Sequence, residues 1–323
     1  VVPAVRVSLP QVIDSTIRSS YVSCHTKGYW SFGRKLGPTG ASTDLIAGGA
    51  FARGLEILRI KFYGPEKLPL EQALEAGMMA AIEAYGDHQP ADNKSQKGVD
   101  RVVHALAYYV EAFPPATDKI QPCYDTDGMP AVEFTFSVPL PILHPETGLP
   151  FLYAGRFDMK GLYNTQLVGV DEKTTSQLGP TWNNKWNMRG QFTGYVWALL
   201  TYGLPAVGMI VRGISFLKNG FGHSEAIQMR SQWQVDQWYQ QLLADVENMK
   251  RAWENNWYDQ NFDESCAEYG GCPFQRLCLS HNPENWIEGH YTTRDWDPLK
   301  KIPYIQPEAG QTEVVALPEG VQL

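Results

Sequence analysis

Residues 155–174 read GRFDMKGLYNTQLVGVDEKT: two strand-like runs around Asn164-Thr165, with an aspartate in each run and a lysine near the end. Side chains alternate between the two sides of a strand. Leu152, Ala154, Arg156, Asp158 and Lys160 therefore share one side of the first run, and Tyr153, Phe157 and Met159 take the other. In the second run Asp171 and Lys173 share a side while Glu172 points away. A two-residue turn at Asn164-Thr165 sets Tyr163 against Gln166 and carries the register back to Asp158 facing Asp171. Opposed carboxylates repel: at about 5 Å and an effective dielectric near 20, Coulomb's law gives roughly 3 kcal/mol. A divalent cation between them reverses the sign. Two hard oxygen ligands, completed by water and a phosphate, suit Mg²⁺ or Mn²⁺, and Lys173 would set an ammonium beside the ion. The other reading of these residues is a solvent-facing ribbon with scattered charges in a different register.

The rest of the 323-residue chain bounds that reading. Charged residues make up 19%, below the roughly 25% of an average domain, and aromatics reach 12%. The 27 basic against 35 acidic residues leave a net charge of −8, which argues against a broad basic face coating nucleic acid, though not against a local basic groove. No apolar run reaches the roughly 18 residues of a membrane span, so no membrane association is expected. The opening VVPAVRVSLPQVIDS lacks the basic segment and apolar stretch of a secretory leader. Five unevenly placed cysteines do not resemble a secreted disulfide scaffold, so a reducing, cytoplasmic setting is expected.

Apolar spacing of three and four predicts helices over 43–63, 71–85 and 96–113, the last stopped by Pro114-Pro115. The period then changes. Val132, Phe134, Phe136 and Val138 alternate with Glu133, Thr135 and Ser137, and strands follow over 151–163 and 166–175. A helix is expected over 185–202, strands over 206–217 and 224–230, and a long helix carrying Trp238, Leu242, Val246, Met249, Trp253 and Trp257. This order predicts an α/β fold, a mixed sheet flanked by helices. One domain over 1–300 is expected, with 131–230 as its core. Proline, glycine and acids dilute the pattern from 301, which reads as a tail over 301–323.

Three short motifs, in order, resemble the RecB-type branch of the PD-(D/E)XK nucleases: Gly155-Arg-Phe-Asp158, Asp171-Glu-Lys173-Thr174 and Gln191-Phe-Thr-Gly-Tyr195. The resemblance implies the restriction-endonuclease-like fold and a metal-dependent nuclease. Asp158, Asp171 and the Glu172 backbone carbonyl would hold Mg²⁺ or Mn²⁺, and Lys173 would serve the attacking water. Gln191 and Tyr195, four apart on one helical face, would meet DNA or steady the site, although Tyr195 equally fits the apolar stripe of its helix. The family often places a histidine after a glycine-rich helix start, where this chain has Ala52 or Arg53. Glu56 is the candidate to supply the missing ligand, with Glu133 a second; a solvated position is the default for each. Trp182, Lys185, Trp186 and Arg189 crowd the approach to Gln191, where they would either bind a single strand by stacking and phosphate contacts or pack the helix start.

Cys266, Cys272 and Cys278 cluster in ESCAEYGGCPFQRLC, and Cys24 lies far upstream in YVSCHTKGYW. Four thiolates suit zinc or an iron-sulfur cluster. The layout resembles that of the CRISPR-associated RecB-like exonucleases, in which one early and three late cysteines hold a 4Fe-4S cluster; segments 15–42 and 262–285 would form this staple. The gap between Cys266 and Cys272 is five residues, longer than in that family, and zinc stays the alternative. Cys123 has no partner in this scheme. Taken together the resemblance implies a DNA exonuclease acting on single-stranded or free-ended DNA in phage-type recombination or repair, in the host cytoplasm if phage-encoded, with a recombination or replication protein as a further partner. The rival readings are a DNA-end-binding module without catalysis and a structure-specific endonuclease.

Overall fold

The structure, a computed structural model, describes residues 5–40, 42–90, 96–262, 264–267 and 271–299. The expected tail over 301–323 lies outside them. The chain opens with β1 (Val12–Ile13), α1 (Ser15–Ser23), α2 (His25–Gly28) and β2 (Leu36–Pro38), then three longer helices, α3 (Thr43–Tyr63), α4 (Leu70–Tyr85) and α5 (Val99–Ala112). Strands β3 (Ile120–Pro122), β4 (Val132–Leu143), β5 (Pro150–Tyr163) and β6 (Gln166–Thr175) follow. Helix α6 (Gly190–Thr201), strands β7 (Ala206–Leu217) and β8 (Gly220–Met229), helix α7 (Gln232–Glu254), short helices α8 (Gln275–Cys278) and α9 (Glu284–Ile287), and β9 (Tyr291–Thr293) complete the order. Among the described residues no helix is long and apolar enough to cross a membrane.

Contacts gather the described residues into two compact units: those within Val1–Gly40, Phe136–Gly155 and Asp236–Leu323 in the first, those within Ala41–Thr135 and Arg156–Val235 in the second. The core expected over 131–230 thus falls in the second unit apart from Phe136–Gly155. The cysteine-bearing segments fall in the first.

In the second unit, β6 runs antiparallel to β5 and parallel to β7, β7 is antiparallel to β8, and β3 is antiparallel to the end of β5. This is the mixed sheet flanked by helices that the element order implies. Phe51 and Leu55 of α3, Ala81 and Tyr85 of α4, and Val102, Leu106 and Tyr109 of α5 bury themselves with Ile214 and Phe216 of β7. Helices α3 and α4 meet backbone to backbone, because a Cβ on Gly77 would lie 2.7 Å from the Gly54 carbonyl oxygen. The hairpin turn is two residues, with Asn164 (φ 48°) and Thr165 (φ 66°) both left-handed, as a turn matching strand twist requires. Tyr163 pairs with Gln166 and the ladder runs to Met159 opposite Val170, in the expected register.

Two expectations change. The helix expected over 185–202 is divided: Asn184–Trp186 form a single 3₁₀ turn, and α6 begins only at Gly190 after an extended Arg189. Asparagines 183, 184 and 187 favour such turns, since their side chains compete for backbone partners. On β4 the expected alternation holds from Phe136 through Ile142, but Glu133 has a φ of 51° and turns inward, 9% exposed, where an outward position was expected.

In the first unit, β1 pairs with the start of β5 and β2 with β9. Tyr29, Trp30, Leu36, Phe274, Leu277 and Tyr291 form its core around these segments. Asp14 caps α1, accepting from the Ile17 N–H at 2.7 Å.

The second unit also buries a charge where β7 is otherwise apolar. Arg212, 1% exposed, donates through Nη1 and Nη2 to Asp118 at 2.6 Å each and through Nε to Glu225 at 3.0 Å. Removing one side of a buried pair strands the other, at about 3–5 kcal/mol. Arg212→Ala is accordingly expected to lose about that much stability, read as a lowered urea midpoint, whereas Lys218→Ala on the exposed β7–β8 turn should leave it unchanged.

Candidate functional site

The alternation of β5 breaks at Asp158. Met159 packs with Ile120, Val168, Val170 and Ile210, whereas Phe157 lies against Gly169 and sets its ring 5.3 Å from that of Tyr195 on α6. Gly169 and its neighbours Val168 and Val170 face opposite sides of β6, so Phe157 and Met159 face opposite sides as well. This corrects the expectation that they share one. The ladder between β5 and β6 stops at Met159, and the Asp158 carboxylate accepts the Glu172 N–H through Oδ2. A side-chain oxygen has taken over a main-chain partner. The slip aims Asp158 toward β6.

Asp171 is 3% exposed, and its Oδ2 pairs with the Lys173 ammonium on the same strand. Burial raises the pKa of Asp158 well above the ordinary range, and Asp171, Glu172 and Glu133 add to the rise. Burial likewise raises Asp171, against the pull of Lys173 and of Arg189. For Lys173, burial acts to lower the pKa, but Asp171 and Asp158 outweigh it and hold the amine above its usual value. Lys173 is therefore a cation, suited to donating a hydrogen bond and not to accepting a proton.

Glu133 of β4 lies in the field of Asp158. Its Oε2 lies 2.7 Å from Arg156 Nε. Burial pushes its carboxyl up to about 7, with Glu56 adding to the rise while Arg156 opposes it. Glu56 of α3 is 5% exposed, not solvated, and pairs with Arg53 one turn earlier at 2.7 Å. The structure thus places Asp158 in the field of both Asp171 and Glu133, with Glu56 in the field of Glu133. Asp171 Oδ2 meets the Lys173 ammonium, Glu133 Oε2 meets Arg156, and Asp158 Oδ2 takes the Glu172 N–H. Hard carboxylate oxygens of this kind fit a divalent cation. Among the described residues no three His, Cys, Asp or Glu side chains are drawn together as around a bound metal.

Glu172 points to the other side, as expected, and finds partners that sequence reasoning missed. Arg59 of α3 donates to both of its carboxylate oxygens, and Tyr109 Oη donates to Oε1 at 2.9 Å. Burial alone would raise Glu172; the Arg59 guanidinium overrides it and holds the carboxyl at about 2. The signals available were Arg59 in an apolar helix and Arg212 in an apolar strand, buried cations that demand acids.

On α6, Gln191 Nε2 donates to Tyr195 Oη at 2.8 Å, and the Tyr195 ring is buried between Phe157 and Phe192. Tyr195 packs, and Gln191 touches its hydroxyl. Trp182 and Trp186 are buried too, meeting edge to face at 4.9 Å, so their rings support the turn before α6 and present no stacking platform. Any side chain at Gly213 would collide with Trp182. Lys185 and Arg189 stay exposed, Lys185 Nζ lying over both rings at 3.9 and 4.4 Å.

The cysteine group is a separate locus in the first unit. Cys24, Cys266, Cys272 and Cys278 all line one cavity of 220 Å³, and none is in a disulfide. The Cys266 carbonyl accepts the Cys272 N–H at 2.9 Å, and Asn261 donates its N–H to Cys24 Sγ at 3.4 Å. Burial and then the three other thiols push Cys278 up to about 12. Burial raises Cys272 as well. Four cysteines lining one cavity are the residue type that would bind a metal or cluster as thiolates. Cys123 is half-buried in the second unit, its thiol raised by burial.

No family model and no curated protein matches the chain. Among solved structures, a "Putative exonuclease" of Eubacterium rectale is similar over 80% of this chain and 86% of its own, at 10% identity and a TM-score of 0.45. SSO0001 is similar over 84% of this chain and 88% of its own, at 10% identity and a TM-score of 0.35.

The raised Glu133 gives a signed pH test. A carboxyl raised in the folded state favours folding below its unfolded pKa, and that contribution is lost as pH climbs through the folded value. Glu133→Gln should therefore leave stability unchanged below about pH 4.5 and raise it progressively up to about pH 7, by roughly 1–3 kcal/mol in EDTA. Urea midpoints at pH 4, 6 and 8 check this; a gain largest at pH 4 would contradict it.

Proposed function

We propose that the chain is a divalent-metal-dependent DNA exonuclease of the PD-(D/E)XK type, hydrolysing phosphodiesters from DNA ends. The observation that carries this is Asp158 seated at the hairpin fork beside Asp171, with Lys173 on the same strand face and paired to Asp171. Mg²⁺ or Mn²⁺ held by Asp158 and Asp171, with Glu56 and Glu133 next to them and the Glu172 carbonyl as a further oxygen, would supply Lewis acidity toward the scissile phosphate. The protein's own contribution is positional and electrostatic. Lys173 donates from its ammonium to the attacking water or to a non-bridging oxygen, where charge grows in the transition state. Gln191 orients its amide through the Tyr195 hydroxyl, and exposed Lys185 and Arg189 neutralise phosphates of the incoming strand.

The four cysteines are proposed to hold a 4Fe-4S cluster, with zinc as the alternative, tying the segment around Cys24 to that around Cys266–Cys278 within the first unit. Recombination or repair of DNA with free ends is the setting such an activity suits, with a recombination or replication protein as partner.

Incubating end-labelled linear DNA with Mg²⁺ or Mn²⁺ tests the central reading. Product should form with the wild type, vanish with EDTA, and fall by about 10²-fold or more in Lys173→Ala and Asp171→Asn. Closed circular DNA should survive; its cleavage would indicate an endonuclease, and DNA binding unaffected by Asp171→Asn with no product from any variant would indicate an end-binding module. For the cysteines, the purified chain should be brown with iron and sulfide in equal amounts, and Cys278→Ser should lose both colour and thermal stability. A colourless protein with one zinc would select the alternative.

A further inference from the structure

Arg59 lies outside the three motifs, yet it is tied to the middle of the second. It is 4% exposed and grips the Glu172 carboxylate with both terminal nitrogens, and its Nη2 also donates to Tyr109 Oη at 3.0 Å. Tyr109 Oη in turn donates to Glu172 and accepts from Arg212 Nη1 at 3.2 Å. Helices α3 and α5 and strand β7 therefore converge on one side chain of β6. On the reverse of that residue, the Glu172 N–H is the donor that holds Asp158, and its chain neighbours are Asp171 and Lys173. A bidentate guanidinium–carboxylate pair fixes direction as well as distance, so it restrains the rotation of the Glu172 peptide about the strand axis. That rotation is what would swing the N–H away from Asp158 and move Asp171.

We propose that Arg59 is a positioning residue for the carboxylate pair: by clamping Glu172 on one face of β6, it sets the separation of Asp158 and Asp171 on the other and hence their affinity for a divalent cation. The proposal rests on the reading of Asp158 and Asp171 as cation ligands. A structural role alone would make Arg59 interchangeable with any well-packed substitute, since a buried ion pair replaced on both sides by apolar groups of similar volume is often neutral in stability. A positioning role does not allow that exchange.

The test uses the full chain with the double substitution Arg59→Met/Glu172→Leu, beside Arg59→Lys, which keeps the charge but not the two-pronged geometry. Urea midpoints establish that each variant is folded; if the double variant is not, Arg59→Lys decides by the same readouts. Mn²⁺ binding by calorimetry on EDTA-stripped protein should weaken by about 10–100-fold in the double variant, the scale on which residues behind a metal ligand act, with a smaller loss in Arg59→Lys. On linear DNA kcat should fall in parallel while KM stays within about twofold. A folded double variant with wild-type Mn²⁺ affinity and kcat overturns the proposal. A wild type that binds Mn²⁺ but cuts no DNA overturns the nuclease reading and leaves Arg59 decided by the calorimetry; a wild type that binds no Mn²⁺ overturns both.

Discussion

Everything in the second unit that could do chemistry follows from one carboxylate replacing a backbone partner. Where the ladder between β5 and β6 ends, Asp158 accepts the Glu172 N–H, and the strand gives up its regular alternation to let it do so. A buried N–H needs an acceptor, and a regular continuation of β5 would have supplied a carbonyl. Supplying a carboxylate instead holds a charged group beside Asp171 in a place from which water is largely excluded. Each of these acids resists ionisation there, Asp158 most strongly. Such a site lowers stability unless something positive completes it.

The two faces of the same strand show how neighbours decide the fate of an acid. Glu172 is as enclosed as Asp171, yet it is held at about 2 because the Arg59 guanidinium meets it with its charge and directed hydrogen bonds, Arg212 adding to the effect. Across that network Arg59, Arg212 and Lys119 stand against Glu172, Asp118 and Glu225, a balanced set. Around Glu56, Glu133, Asp158 and Asp171 stand Arg53, Arg156, Lys173 and Arg189, yet burial still raises Asp158, Asp171 and Glu133. Burial is common to both groups of acids; what differs is how far their neighbours offset it. Buried carboxyls left raised in this way mark where a cation or a substrate would act.

The tryptophans near α6 show the opposite lesson. Aromatic and basic residues close together in sequence suggested a surface for a single strand, but Trp182 fills the space left by Gly213 and Trp186 packs on Phe192. Only the two cations of that group reach solvent. Large apolar rings gain more by leaving water than by waiting for a ligand, and a glycine on the neighbouring strand provided the seat. Lys185 lies over both rings, its Nζ 3.9 and 4.4 Å from their centres.

From the sequence alone one could read the three long helices, the strands from Val132 onward, the hairpin register and the sides taken by Asp171, Glu172 and Lys173, because periodicity and a two-residue turn are local properties. The convergence of the four cysteines on one cavity was foreseen only by resemblance. Tertiary structure alone decided the slip at Asp158, the inward turn of Glu133, the burial of Trp182 and Trp186, and the clasp of Arg59 on Glu172. Each of these depends on which distant residue fills or vacates a particular space, and distance along a chain carries no record of that. A strand's alternation predicts where a side chain points only while its backbone stays regular, and in this protein regularity fails at the residue on which the site is built.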